Sequence, residues 1–196
     1  NIMHKTFKIY YFIDKFNREE IEKLDKNISL IFRVYNEKLN LETIKKIKKL
    51  CDKQQRKLYL SNNLKLAKIL ELSGVYIPSF NRLNNFKNLN VKKGFEILGS
   101  AHNQIQLRNK ENQGCKEIFI SPIFKTNKSK FFLDVTKFNI ISKKTDRNII
   151  ALGGIYESNI NKLKMVSCNG LSSISWIKKN RPKKIGRFYN FKCLTN

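Results

Sequence analysis

Acidic residues are scarce in this chain. Fifteen Asp and Glu face forty Lys and Arg in 196 residues, giving a formal net charge of +25 and a pI near 10.0. Taken alone, such an excess points to a nucleic-acid partner. However, Lys, Asn and Ile recur everywhere, on helix faces and in loops alike, so the charge is read as background that sets solubility. Cysteine is sparse too: Cys51, Cys115, Cys168 and Cys193 are widely spaced, form no CxxC and have no histidine nearby. That excludes a zinc site and a disulfide framework and makes a reducing cytoplasm the expected location. No apolar run approaches bilayer length, so no membrane partner is expected, and the first residues lack the long apolar segment of a secretory signal. With eight glycines and three prolines there is no Ser/Gly linker, and no internal repeat is visible.

What is present suits one domain with a substantial core, 41% of the residues being hydrophobic. That domain is assigned to residues 5–177. A basic tail, 178–196, opens with Lys178-Lys179-Asn180-Arg181-Pro182-Lys183-Lys184. The tail is read as a solvated terminal segment, with nucleic acid, an anionic lipid surface or an acidic partner as the alternatives.

Eight strands are predicted: Ile9–Ile13, Ser29–Arg33, Lys57–Leu60, Gly74–Ile77, Glu96–Gly99, Glu117–Ser121, Asn148–Leu152 and Leu171–Ser175. Most lack strict polar alternation, as strands covered on both faces do. Helical periodicity fills Leu39–Gln54, Asn62–Leu72, Ile105–Gln113 and Glu157–Val166. The strands start about every 23 residues, the spacing of repeated βα units. The expected fold is therefore α/β: a single, compact (βα)8 TIM barrel, whose ligands sit beyond the carboxyl ends of its strands.

Several strand ends carry chemistry. Gly153-Gly154 ends the seventh and Ser172-Ser173-Ile174-Ser175 forms or ends the eighth, the place where such barrels commonly hold a phosphate on backbone N–H groups. A tight turn is the plainer reading of a glycine pair. His102, one of two histidines, lies just past the fifth strand, flanked by Ser100 and Asn103. It suits an acid or base near neutral pH, or a phosphate contact, or simply a helix cap. Ser121-Pro122 closes the sixth strand, because proline cannot extend a central ladder. The loop Lys125–Leu133 beyond it is long and polar, built either as a lid or as plain surface. It carries Thr126, with a hydroxyl for a phosphate or heterocycle, and Lys128 and Lys130 within reach of an anion.

Six segments in order resemble one family, the thiamine phosphate synthases and their thiazole tautomerase (TenI-like) relatives. They are Leu64-Lys65-Leu66-Ala67, Ser73-Gly74-Val75-Tyr76-Ile77, Leu98-Gly99-Ser100-Ala101-His102, Ser121-Pro122-Ile123-Phe124-Lys125-Thr126, Ala151-Leu152-Gly153-Gly154-Ile155 and Asn169-Gly170-Leu171. The resemblance runs from about Phe7 to Trp176 and identifies a divergent member. It implies a transferase of thiamine biosynthesis that joins hydroxymethylpyrimidine diphosphate to thiazole phosphate and releases pyrophosphate. Thr126, Gly153, Gly154 and Ser175 would hold the thiazole phosphate, with Ser121 opening that motif. Arg33 would contact the pyrimidine diphosphate, Ser100 would assist the leaving pyrophosphate and Lys130 would neutralise it.

The same resemblance places the family's magnesium aspartates at Asn62 and Asn81, its strand-three asparagine at Ser61, and the residues flanking its arginine at Ile31 and Tyr35. Neutral amides are poor magnesium ligands, so Mg2+ is an expectation that the resemblance makes and the residues oppose. A synthase is the first reading, either with lysines in place of the metal or with Asp14 and the phosphates holding it. The second is a tautomerase using His102 as proton shuttle. The third is a phosphate-binding barrel without catalysis. A basic nucleic-acid-binding protein is the non-enzymatic alternative, disfavoured because no aromatic platforms interleave with a basic strand surface. The sequence leaves the oligomeric state open.

Overall fold

A computed structural model describes residues 6–34, 38–84, 86, 90–127 and 129–179. Tyr35, Lys128 and the basic tail from 180 onward lie outside the described residues. Eight parallel strands pair in chain order and close into a barrel, β8 returning to β1. They are β1 (Lys8–Ile13), β2 (Ser29–Phe32), β3 (Leu58–Ser61), β4 (Gly74–Ile77), β5 (Glu96–Ala101), β6 (Glu117–Ile120), β7 (Asn148–Leu152) and β8 (Gly170–Ser172). All four residues of β3, β4 and β6 are buried, as the uninterrupted apolar runs require of strands with helices outside and a packed lumen inside.

The lumen is filled largely by rings. Tyr10, Phe12, Ile31, Tyr59, Tyr76, Leu98, Phe119 and Ile150 form one buried cluster. Phe12–Tyr76 and Tyr76–Phe119 meet edge to face at 5.2 and 5.4 Å between centroids, an arrangement that suits the ring quadrupoles. At the amino-terminal end the buried Glu117 accepts from Lys8 and Tyr10, and Glu96 accepts from Tyr59 and, at 2.9 Å, from Lys57. Burial opposes ionisation of Glu96, yet the bonds from Tyr59 and Lys57 outweigh it and hold its carboxyl below the usual range. Burial pushes the Tyr10 and Tyr59 phenols up, with the neighbouring negative charge adding to it.

Outside the barrel lie α1 (Arg18–Glu22), α2 (Leu41–Lys53), α3 (Leu64–Ile69), α4 (Gln104–Asn112), α5 (Asp134–Ser142), a 3-10 helix (Ile160–Met165) and α6 (Ile174–Lys179). Asparagines start four of them: the side chains of Asn17, Asn40, Asn63 and Asn103 accept from Glu20, Thr43, Leu66 and Gln106 N–H. The amphipathic α2 buries Ile44, Ile47, Leu50 and Cys51, leaving Leu41 exposed.

Four boundaries differ from expectation. β5 continues to Ala101, so Ser100 lies inside a strand. The helix expected over 62–72 shrinks to six residues, with Ile69 exposed. The segment 157–166 forms a 3-10 helix over Ile160–Met165. The expected strand Leu171–Ser175 stops at Ser172, because the Ser173 hydroxyl accepts from Trp176 N–H at 3.2 Å and starts α6. Burial of Trp176 and Ile177 holds that helix in place. Ser175 is therefore in the first turn of α6 and exposed. The fourth βα unit departs further: among the described residues between β4 and β5 there is no helix.

Candidate active site

Side chains alternate along a strand, so the residue two beyond each lumen position faces the carboxyl-terminal mouth. That rule places Arg33 after Ile31, Ser61 after Tyr59, Ser100 after Leu98 and Ser121 after Phe119. Ser61, Ser100 and Ser121 are buried there. Arg33 lies with its guanidinium carbon 4.1 Å from the centroid of Phe12, a cation–π contact that sets the charge over the lumen plug.

His102 stands exposed one residue past β5. Its Nδ1 lies 2.7 Å from the Ser121 carbonyl oxygen and 3.2 Å from the Ser121 hydroxyl. A carbonyl only accepts, so Nδ1 carries the proton and donates, which leaves Nε2 as the basic nitrogen of the neutral ring. The contact joins the ends of β5 and β6.

Gly153 and Gly154 adopt φ of +92 and +70°. A Cβ on Gly154 would lie 2.3 Å from the Phe124 carbonyl oxygen, and one on Gly153 2.9 Å from Pro122 Cβ. The pair is thus required by the close approach of the β6 loop, which Ile123 and Phe124 N–H fasten to Leu152 and Gly153 oxygens at 2.9 and 3.1 Å. In that loop the Thr126 hydroxyl accepts from Ser129 N–H at 3.1 Å, and Lys130 is exposed. Ser173, not Ser175, is the buried serine facing loop seven, its hydroxyl donating to Ile155 O at 2.9 Å.

Asn62 and Asn81 meet. Leu83 N–H donates to Asn81 Oδ1 at 2.9 Å, which fixes the orientation of that amide. Its Nδ2 then donates to Asn62 Oδ1 at 2.7 Å. Asn62 sits at φ +57°, a conformation asparagine tolerates better than most residues, with its N–H on Tyr76 O. An amide binds a hard cation only through its oxygen, and both oxygens here already accept from N–H donors. The pair does not fit magnesium. Among the described residues no group of three or more His, Cys, Asp or Glu comes together elsewhere to hold a metal ion.

Sequence reasoning passed over two residues beneath this pair. Lys110, near the end of α4, and Gln113, its C-cap, are both fully buried. Lys110 Nζ donates to Pro78 O, Asn81 O and Gln113 Oε1 at 2.7, 2.8 and 2.8 Å, and Gln113 Nε2 donates to Asn81 O and Leu83 O at 2.9 and 2.8 Å. Burial pushes the Lys110 ammonium down to about 8. Gly99 makes room for it: a Cβ there would lie 2.7 Å from both Lys110 Cδ and Cys115 Sγ. The available signal was Lys110 itself, three residues after Leu107 on what should be an apolar stripe. A cavity of about 440 Å³ opens near the amino-terminal ends of β1 and β2, away from these residues. Its Lys8 and Lys57 already pair with Glu117 and Glu96.

The profile of the family described as "Thiamine monophosphate synthase" matches residues 24–177. The chain is 31% identical over 143 residues to the thiamine-phosphate synthase of Pelagibacter ubique, a match covering 71% of this chain and 69% of that protein. It is 26% identical over 142 residues to the thiamine-phosphate synthase of Prochlorococcus marinus, where the match covers 68% of this chain but only 39% of the relative. A thiamine phosphate pyrophosphorylase from Pyrococcus furiosus superposes with a TM-score of 0.73 at 14% identity, covering 94% of this chain and 93% of that one. At that identity the superposition speaks for the fold.

Proposed function

This chain belongs to the thiamine monophosphate synthase family, and from that premise we propose that it is a transferase joining hydroxymethylpyrimidine diphosphate to thiazole phosphate with release of pyrophosphate. The observation that carries the reading is the shared rim. Arg33, Ser61, Ser100, His102, Ser121 and Gly153 come from five strands far apart in sequence, and all stand at the carboxyl-terminal ends of one closed barrel.

In this reading the thiazole phosphate lies between loops seven and eight, against the backbone of Gly153 and Gly154, with Thr126 and Ser175 as hydroxyl donors. In this reading the Gly153 and Gly154 N–H groups meet the anion's charge. Arg33, held over Phe12, faces the diphosphate as a planar donor. The C–O bond to pyrophosphate breaks as the thiazole nitrogen attacks, and negative charge grows on the departing group. Ser100 donates to that oxygen, and Lys130, carried on the β6 loop, offsets the charge as the loop closes. Both act more strongly on the leaving group than on the bound substrate, which is what lowers the barrier. Magnesium has no step here, since the residues at 62 and 81 are neutral amides bonded to each other rather than carboxylates. The enzyme acts on small phosphorylated substrates in the cytoplasm, in keeping with Cys51, Cys115 and Cys168 as free buried thiols. It has no nucleic-acid partner in this reading.

The test is an assay with both thiamine precursors, run with magnesium and with chelator, following thiamine phosphate and pyrophosphate together. Stoichiometric release of both supports the synthase. A second reading has one observation in its favour: the Nδ1–H bond of His102 to Ser121 leaves Nε2 as an exposed base, as a thiazole tautomerase needs. Absence of product alongside proton exchange into the thiazole would replace the first reading with this one.

A further inference from the structure

We propose that the Asn62–Asn81 amide pair, fixed by Lys110 and Gln113, takes the place of a divalent-cation site, so that this chain binds pyrophosphate and its organic esters without a metal. The proposal rests on the synthase reading for its choice of probe.

Two loops must be joined at this point of the rim, the one after β3 and the one after β4. A pair of carboxylates there would repel each other and would need a cation between them. Two amides need none, because one can donate while the other accepts. That is the arrangement seen: Asn81 Nδ2 donates to Asn62 Oδ1 at 2.7 Å, while Asn81 Oδ1 is taken by Leu83 N–H at 2.9 Å. Each side-chain oxygen is neutral and already turned toward its own N–H donor, so the pair offers a hard cation neither charge nor a free pair of ligands.

An independent observation points the same way. The Asn81 carbonyl oxygen accepts from Lys110 Nζ at 2.8 Å and from Gln113 Nε2 at 2.9 Å. A fully buried side chain thus brings a fixed positive charge onto the very residue that would have to ligate the ion. A cation bound by the same residue would meet that charge as a like one, and like charges oppose each other. The ammonium cross-links three oxygens of loop and helix, which is the structural task of a bound metal. It also cannot be exchanged or chelated.

Two titrations test the proposal. In the first, Mn2+ is added to the wild-type chain and to the N62D/N81D double variant, and the signal of free Mn2+ is read by electron paramagnetic resonance. Wild type should leave the free signal unchanged, and the double variant should deplete it with about tenfold or greater gain in affinity. In the second, pyrophosphate is titrated calorimetrically into wild type in chelator and in magnesium, and its affinity should agree within about twofold. Depletion of Mn2+ by wild type as strong as by the double variant would overturn the proposal. So would a double variant no better than wild type, or magnesium tightening pyrophosphate about tenfold. The wild-type titrations need no variant to fold. Failure to form thiamine phosphate would sink the synthase reading while leaving both metal titrations as they stand.

Discussion

Replacing Gly154 by alanine probes whether the β6 loop rests on the end of β7. At φ +70° an L side chain costs about 1–2 kcal/mol. The new Cβ would also lie 2.3 Å from the Phe124 carbonyl oxygen and 2.6 Å from that of Lys125. Both are backbone atoms, so no rotamer change relieves the contact and the loop must move as a body. Overpacking of that kind costs about 1–3 kcal/mol, and the two effects together come to about 3 kcal/mol. In a chain of this size that lowers the melting temperature by about 10 °C. Gly114 supplies the control. Its φ is +80°, yet a Cβ there meets nothing within 4 Å, so Gly114→Ala should cost the conformational part alone, about 1–2 kcal/mol. Melts of the two variants by circular dichroism, with urea titrations to check that the m-value is unchanged, separate the terms. Equal shifts for the two would refute the loop contact. The displaced loop should also weaken thiazole phosphate affinity in Gly154→Ala and leave it intact in Gly114→Ala.

Further expectations follow from other contacts. His102→Asn should keep the fold, since the ring is exposed, but should lower thiazole tautomerisation by about a hundredfold or more if His102 is its proton shuttle; unchanged proton exchange in the purified variant would reject that role. Glu96→Gln should cost about 1–2 kcal/mol at neutral pH by removing a charge-assisted pair of bonds. Because the folded Glu96 carboxyl lies below its ordinary value, its contribution is full above that value and is lost as pH falls through the depressed one. The gap between wild type and variant in urea titrations should therefore close in acid. Lys110→Met should remove a term of opposite form. With the folded ammonium at about 8 and the unfolded one at the usual 10.5, the unfolded state binds more protons between those values. Wild-type stability should thus rise with pH there by up to about 3 kcal/mol relative to Lys110→Met; a parallel pair of stability profiles would refute the assignment.

The barrel was legible because its strands are buried on both faces and so announce themselves as unbroken apolar runs. Seven of the eight predicted strands lie within two residues of their observed ends. The eighth slipped because Leu171–Ser175 reads as a strand until one sees Ser173 capping a helix that only the burial of Trp176 explains. Helices were read less well where hydrophobic residues stand exposed: Ile69 and Ile105 fit the periodicity and face solvent. Local pattern cannot show which apolar residue finds a partner. The site divides similarly. His102 and Ser121 lie on adjacent strand ends, and register brings them together, so sequence order sufficed to suspect them. The engagement of Asn62 with Asn81 depended on a loop with no periodicity to read. Lys110 was invisible for a different reason: in a chain with forty basic residues, one lysine that turns inward carries no mark of it. Arg56 is a second such case, buried and donating to the carbonyls of Leu24, Asp25 and Ile28.

Lys110 and Gln113 grip the β4 loop by its main chain alone: every oxygen they reach there belongs to a peptide group. Such a hold is blind to side-chain identity. Ser79, Phe80 and Arg82 can be exchanged without touching the anchor, whereas a change at position 110, some thirty residues downstream, would remove two of the four bonds that hold the segment. The rim thus has a stretch whose shape is inherited from elsewhere in the chain and whose surface chemistry is free to drift, a natural place for substrate preference to be retuned by evolution or by hand.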